Sequence, residues 1–196
     1  MKKGILSILM LLVIFSAKLF AAEWELDRSH SIVAFSVRHL GISNVRGEFE
    51  KFDVKVEGEK DAVEKSTVEA KIYVDSINTR DPKRDAHLKS PDFFDVEKYP
   101  IIDFKAKKIK KISATKLKVT GDLTMHGVTK EVVLDVESTG IEAIDPMGNI
   151  RVGFSAKTKI NRKDFGINWN MTLDKGGLVV GNDVEINIEI ELIKKK

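Results

Sequence analysis

The chain has 196 residues, with 33 Lys and Arg against 30 Asp and Glu, 42% hydrophobic residues and no cysteine. The missing thiol excludes a disulfide framework, a lipid-attached cysteine leader and thiol catalysis. The small basic excess excludes a nucleic-acid footprint: Lys2, Lys3 and Lys18 all lie in an N-terminal leader, and without them basic and acidic residues are equal in number.

That leader places Lys2 and Lys3 ahead of an apolar run from Ile5 to Phe15, with small residues at Ala17, Ala21 and Ala22, the layout of a secretory signal peptide. The run is too short to span a bilayer. The expectation is a signal peptide over residues 1–21, cleaved after Ala21 or Ala22, and one domain over 22–196. The domain is expected to be periplasmic or secreted, with no stable membrane insertion after cleavage. Only four prolines and no Ser/Gly-rich linker interrupt the chain, which fits a single core.

In chain order, Val33, Phe35 and Val37 alternate with smaller residues as a strand does, and His39–Ser43 turns the chain. Val45 and Phe49 then occupy odd positions but Phe52, Val54 and Val56 even ones, a phase change that predicts a β-bulge near Glu50 or Lys51. Val68, Ala70, Ile72 and Val74 share the face of a third strand. Thr79 to Tyr99 is the one long insertion. Asp81 before Pro82 and Ser90 before Pro91 each pair an N-cap residue with a proline suited to the first helical position, predicting two short helical turns. The insertion carries Arg80, Arg84, Asp85 and His87, then the adjacent rings Phe93 and Phe94. It reads either as a plug whose rings seal a core or as the mouth of a ligand site.

Strand alternation returns at Ile102–Ala106, Leu117–Met125, Val132–Val136, Val152–Ile160 and Val184–Leu192. Met125–Val128 is a tight connection and Asp145–Asn149 a turn by composition. Eight main strands joined mostly by short turns define an all-β fold, an extended antiparallel up-and-down barrel with a short helical insertion; a sandwich is the alternative. A barrel of that size is either filled by side chains or holds one small ligand.

Phe35, Val37, Phe49, Phe52, Phe104 and Phe154 are the candidates to line such an interior, although periodicity alone does not say which face they occupy. His30, His39, Arg84, His87 and Arg162 are the candidates to meet a polar head group at the mouth. Each has a structural reading as well: a histidine at a strand end more often satisfies a backbone group. Asn161, Arg162 and Asp164 could knit a loop by local hydrogen bonds, and Trp24 and Trp169 read as core or rim plugs. An enzyme would use His87 or His30 as general base beside Asp85 or Asp27. The sequence lacks Gly-x-Ser-x-Gly, His-Glu-x-x-His and any paired-histidine metal spacing, so catalysis and a metal are not expected.

Ten blocks in order carry a resemblance. They are Asp27-Arg28-Ser29-His30-Ser31, Phe35 to Gly41, Gly47-Glu48-Phe49, Ser76-Ile77-Asn78-Thr79, Arg84-Asp85-Ala86-His87-Leu88, Asp92-Phe93-Phe94-Asp95, Tyr99-Pro100, Gly121 to Thr124, His126 to Thr129 and Ile160 to Gly166. Together they resemble the YceI family along the whole domain. The resemblance implies a lipocalin-like barrel, exported to the periplasm, holding a polyisoprenoid such as a polyprenyl phosphate or an isoprenoid quinone. No cofactor is required on that reading, the partner is an isoprenoid lipid or quinone, and the insertion caps or gates the barrel. A homodimer is compatible, since two-fold assemblies are common. The rival reading is a barrel filled solid that acts as an interaction or stress-response protein, with a lipid-modifying enzyme as the third.

Overall fold

The computed structural model describes residues 23–58, 60–173 and 176–195, and the expected leader lies outside the described residues. Among these, one antiparallel sheet contains β1 (Glu23–Leu26), β2 (Ile32–His39), β3 (Ser43–Phe49), β4 (Phe52–Glu57), β5 (Thr67–Tyr73), β6 (Ile77–Asn78), β7 (Ile101–Lys111), β8 (Lys116–Met125), β9 (Val128–Ser138), β10 (Ala143–Ile144), β11 (Ile150–Asn161) and β12 (Val180–Lys194).

Six of these strands are halves of three longer ones. One edge of β12 pairs with β2 over Val180 to Glu189 and then with β1 over Leu192 to Lys194. The next composite is β3 with β4, pairing β2 and β1 in turn, and the third is β6 with β5. The ring then runs through β7, β8, β9 and β11, and β11 pairs β12 from Arg151↔Ile193 to Asn161↔Asp183. Three composite and five single strands thus close an eight-stranded antiparallel barrel, the architecture expected from the alternation, and closure removes the exposed edges that an open sheet would leave.

The phase change after Phe49 has a different cause from the predicted bulge. The strand breaks at Glu50 and Lys51, because Ser76 on the neighbouring composite takes over their hydrogen bonds. Glu50 N–H donates to the Ser76 carbonyl at 3.1 Å and Lys51 N–H to Ser76 Oγ at 2.9 Å. Phe49 and Phe52 consequently both face inward although they are three residues apart. A register shift does occur in β7, between Ala106 and Lys108, and it turns Ile109 to the same face as Phe104.

The insertion also departs from expectation in one half. Asp81 caps helix α1 (Pro82–Lys89), its Oδ1 accepting the N–H groups of Lys83 and Arg84 at 3.0 and 3.2 Å, as predicted for the first turn. The Ser90–Pro91 pair starts only a turn. Phe94 N–H returns to the Leu88 carbonyl and Val96 N–H to the Lys89 carbonyl, so the chain folds back on the end of α1 instead of continuing as a helix.

The insertion, the β2–β3 and β8–β9 turns and the segment between β11 and β12 all lie at one end of the barrel. That end is packed shut. A 3-10 turn at Arg162–Phe165 is terminated by Gly166 at φ +79, where a side chain would be strained and its Cβ would meet the His126 ring at 3.3 Å. Phe165 and Ile167 are buried behind it. No helix among the described residues is long and apolar enough to cross a membrane.

Candidate ligand-binding site

Because side chains alternate across a strand, each composite sends every second residue into the barrel. The inward set is overwhelmingly aliphatic and aromatic, and its members do not meet across the axis. They enclose a cavity of about 500 Å³, within the usual range for small-ligand sites. Phe35, Val37, Phe49, Phe52, Phe104 and Phe154 all line it, joined by the even-numbered face of β12 from Val184 through Ile186, Ile188 and Ile190 to Leu192. Gly121 faces inward too; a Cβ there would stand 2.5 Å from Phe104 Cζ, so its absence gives that ring its place.

Phe93 and Phe94 from the insertion form the cavity floor. The Phe93 ring lies 5.1 Å from Trp169, and His87 stands edge-on to both, at 5.0 and 4.9 Å. The opposite end is different: its lining residues Lys111, Ala114, Gly140 and Ile141 are exposed, so the cavity opens there.

The polar candidates divide. Arg162 does line the cavity, at the closed end, and is 4% exposed. It donates through Nε to the Gly181 carbonyl at 2.9 Å, through Nη1 to the Ile167 carbonyl at 2.7 Å and through Nη2 to the Val180 carbonyl at 3.4 Å. Burial pulls its pKa below the ordinary value; the side chain ties the closing segment to β12.

His30, His39, Arg84 and His87 stand outside the cavity lining. His39 ends β2, opposite Ser43 and Val180. Arg84 donates through Nε to Thr79 Oγ1 and through Nη2 to the Thr79 carbonyl, both at 2.8 Å, and so fastens α1 to the chain entering it. Asp85 accepts from the same Thr79, at 2.9 Å from its N–H and 2.5 Å from its Oγ1, while His87 Nε2 bonds Asp92 Oδ2 at 2.9 Å. An Asp85–His87 pair is thus not formed, because the two side chains leave the helix in different directions.

His30 does meet Asp27, at 3.0 Å, but in an ion-pair cluster centred on Arg151. Arg151 Nη1 donates to Asp27 at 2.5 Å and to Glu191 at 2.6 Å, and Nε donates to Asp145 at 2.8 Å. Asp27, His30 and Glu191 bring ligand atoms within 4.8 Å of one another. The guanidinium between Asp27 and Glu191 already supplies the positive charge there. Hydrogen bonds from the Ser29 hydroxyl, Arg151 and His30 hold the Asp27 carboxyl well below the usual range, and Arg151 does the same for Asp145. Sequence spacing offered only the Asp27–His30 pair of this cluster, because Arg151 draws Asp27, Asp145 and Glu191 from three separate segments. Trp24 and Lys111, both in the cavity lining, were also missing from the candidate residues; the alternation through Leu117 and Leu192 on neighbouring strands is the signal that reaches that level of the wall.

A closed antiparallel barrel, floored at one end and open at the other around an apolar cavity, defines a lipocalin-like β-barrel protein. The sequence pattern of the YceI-like domain matches residues 24–192, and the chain belongs to that family. It is 39% identical over 169 residues to UPF0312 protein SA2479 of Staphylococcus aureus, covering 86% of this chain and 96% of that protein. It is 36% identical to the Campylobacter jejuni YCEI protein, with a TM-score of 0.69 over 81% of this chain and 90% of that one. A polyisoprenoid-binding domain from Saccharophagus degradans shares the fold at 14% identity, with a TM-score of 0.61 over 90% of this chain and 99% of that one.

Proposed function

We propose that the protein is an exported carrier that holds one long-chain polyisoprenoid, an isoprenoid quinone or a polyprenyl phosphate, in the barrel. The observation that carries this reading is the cavity of about 500 Å³, apolar over most of its wall and open at one end. An isoprenoid tail matches it chemically. Each buried methylene-sized group contributes about 0.8 kcal/mol, so ten carbons contribute roughly 8 kcal/mol before ordering and association costs are subtracted. The description of the Saccharophagus degradans domain as polyisoprenoid-binding lends the reading support. The N-terminal leader supports export to the periplasm.

The protein works by binding and not by catalysis. Among the described residues, the hydroxyl and charged side chains in the lining are Ser66, Lys111, Thr115, Ser138, Thr158 and Arg162, with no histidine or carboxylate to serve as a general base. Native mass spectrometry of protein purified from a periplasmic extract, followed by organic extraction, tests the proposal without assuming a substrate. A stoichiometric isoprenoid is the expected result. An empty protein that also refuses added quinone and polyprenyl phosphate would overturn it.

A further inference from the structure

Exposed aliphatic side chains gather around the open end of the cavity. Ile112 in the β7–β8 turn is 50% exposed, Ile141 67%, Ile144 in β10 75%, and Met147 in the β10–β11 turn 77%. Ile141 also lines the cavity, so this rim continues the apolar wall into solvent. The β7–β8 turn adjoins the β9–β10 connection that carries Ile141: Ser138 N–H donates to the Thr115 carbonyl at 2.8 Å, and a Cβ on Gly140 would lie 3.2 Å from Thr115. Three water-exposed isoleucines and a methionine beside one opening are unfavourable unless something apolar covers them.

The charge on the same rim identifies the cover. Between Phe104 and Gly121 the β7–β8 hairpin carries seven lysines and no acidic residue. Lys105, Lys107 and Lys118 reach carboxylates on neighbouring strands. The side chains of Lys108, Lys110 and Lys116 have no carboxylate partner among the described residues, and near the hairpin's tip the Glu64 carboxylate accepts from the Lys111 N–H at 3.0 Å. Apolar tips flanked by unneutralised lysines are the signature of a surface that enters the headgroup region of an anionic bilayer.

We infer that the open rim of the barrel docks on the surface of an anionic phospholipid bilayer, with Ile112, Ile144 and Met147 entering the headgroup layer and the β7–β8 lysines facing the lipid phosphates. The cavity mouth then faces the membrane, and an apolar ligand passes between lipid and barrel without crossing water. The docking rests on the rim alone; only its purpose rests on the carrier reading.

Flotation of the full-length mature protein with vesicles of phosphatidylethanolamine and phosphatidylglycerol tests it, with phosphatidylcholine vesicles for comparison. Binding to the anionic vesicles only is expected. The triple variant Ile112→Ser, Ile144→Ser, Met147→Ser and the triple variant Lys108→Gln, Lys110→Gln, Lys116→Gln should each bind at least about tenfold more weakly. Ile42→Ser, an equally exposed site at the closed end, should bind as the parent does. All seven positions are on the surface, and near-ultraviolet circular dichroism checks that each variant is folded. Equal flotation with phosphatidylcholine, unchanged binding of either triple variant, or an equal loss in Ile42→Ser would overturn the docking. Flotation is blind to the cargo, so these outcomes stand apart from the extraction experiment that tests the carrier.

Discussion

The ring of Phe94 meets that of Phe49 edge-on, 6.0 Å between centroids and 80° between planes, so the insertion is joined to the barrel by the same kind of side chain that lines it. The floor of the cavity is therefore part of the core. Phe93 beside it is buried, and Phe93→Ala should destabilise the fold by about 3–5 kcal/mol, the range for deleting a buried ring. Phe94→Ala, at a half-buried position, should cost less and should instead speed release of a bound hydrophobic dye. Chemical denaturation and stopped-flow dye release separate the two effects; a Phe94→Ala variant with unchanged release would show that the floor plays no part in retention.

Gly121 owes its place to Phe104. With a virtual Cβ only 2.5 Å from the ring, Gly121→Val forces Phe104 across the cavity. The expected cost is about 1–3 kcal/mol of overpacking strain, together with weaker binding of long apolar ligands. Paired urea denaturation and ligand titration would check it, and a variant that binds normally would contradict the assigned position of the ring.

The Arg151 cluster ties the start of the domain to its last strand. Arg151→Met leaves Asp27, Asp145 and Glu191 without their shared cation and should lower the melting temperature at neutral pH. The sign with pH follows from the depressed carboxyl pKa values of Asp27 and Asp145. Their stabilising contribution is full above the unfolded carboxylate pKa of about 3.9 and is lost as pH falls from there through the lower folded values. The difference in melting temperature between parent and variant should hold constant from neutral pH to about pH 5 and shrink in stronger acid. A difference that instead grew on acidification would refute the assignment.

Two tryptophans lie at opposite ends of the barrel, and only one lines the cavity. Trp24 donates its indole N–H to the Gly58 carbonyl at 3.2 Å and presents its ring to the lumen near the open end. Trp169 packs on the outer side of Phe93. Ligand binding should change the emission of the parent and of Trp169→Phe but not of Trp24→Phe. A response that follows Trp169 would mean that ligand binding reaches the floor and not the mouth.

Ser76 holds the break between β3 and β4 through its hydroxyl, which accepts from Lys51 N–H and donates to the Tyr73 carbonyl at 2.6 Å. Ser76→Ala leaves the part-buried Lys51 N–H without its side-chain partner and should cost about 0.5–1.5 kcal/mol, measurable by urea denaturation.

Much of this architecture was legible in the sequence, for reasons that individual residues make plain. The clean alternation from Val184 to Leu192 marks a strand with one wet and one dry face, and the dry face lines the cavity. The jump from Phe49 to Phe52 marked a local irregularity correctly but not its kind, because the cause is Ser76, a hydroxyl on another strand. Asp81–Pro82 began a helix while Ser90–Pro91 did not: local cap chemistry was the same, and the fold-back onto Leu88 decided the outcome. Histidines and arginines at strand ends and in the insertion were the polar candidates. Their partners, Thr79 for Arg84 and Asp92 for His87, are fixed by the packing of the insertion, which spacing does not encode.

The breaks in the three composite strands stand side by side, at Asp27–Ser31, Glu50–Lys51 and Val74–Ser76, with Arg28 reaching the Phe52 carbonyl and Asp53 across one and Tyr73 N–H reaching the Lys51 carbonyl across the next. This crease resets the inside–outside alternation of the wall. A residue lost or gained within β3 would invert the facing of that panel alone, since β4 takes its phase from β1 and β5. Errors of register are thereby confined to one storey of the barrel, and the panel beside the insertion is free to change length while the panel at the mouth keeps its lining.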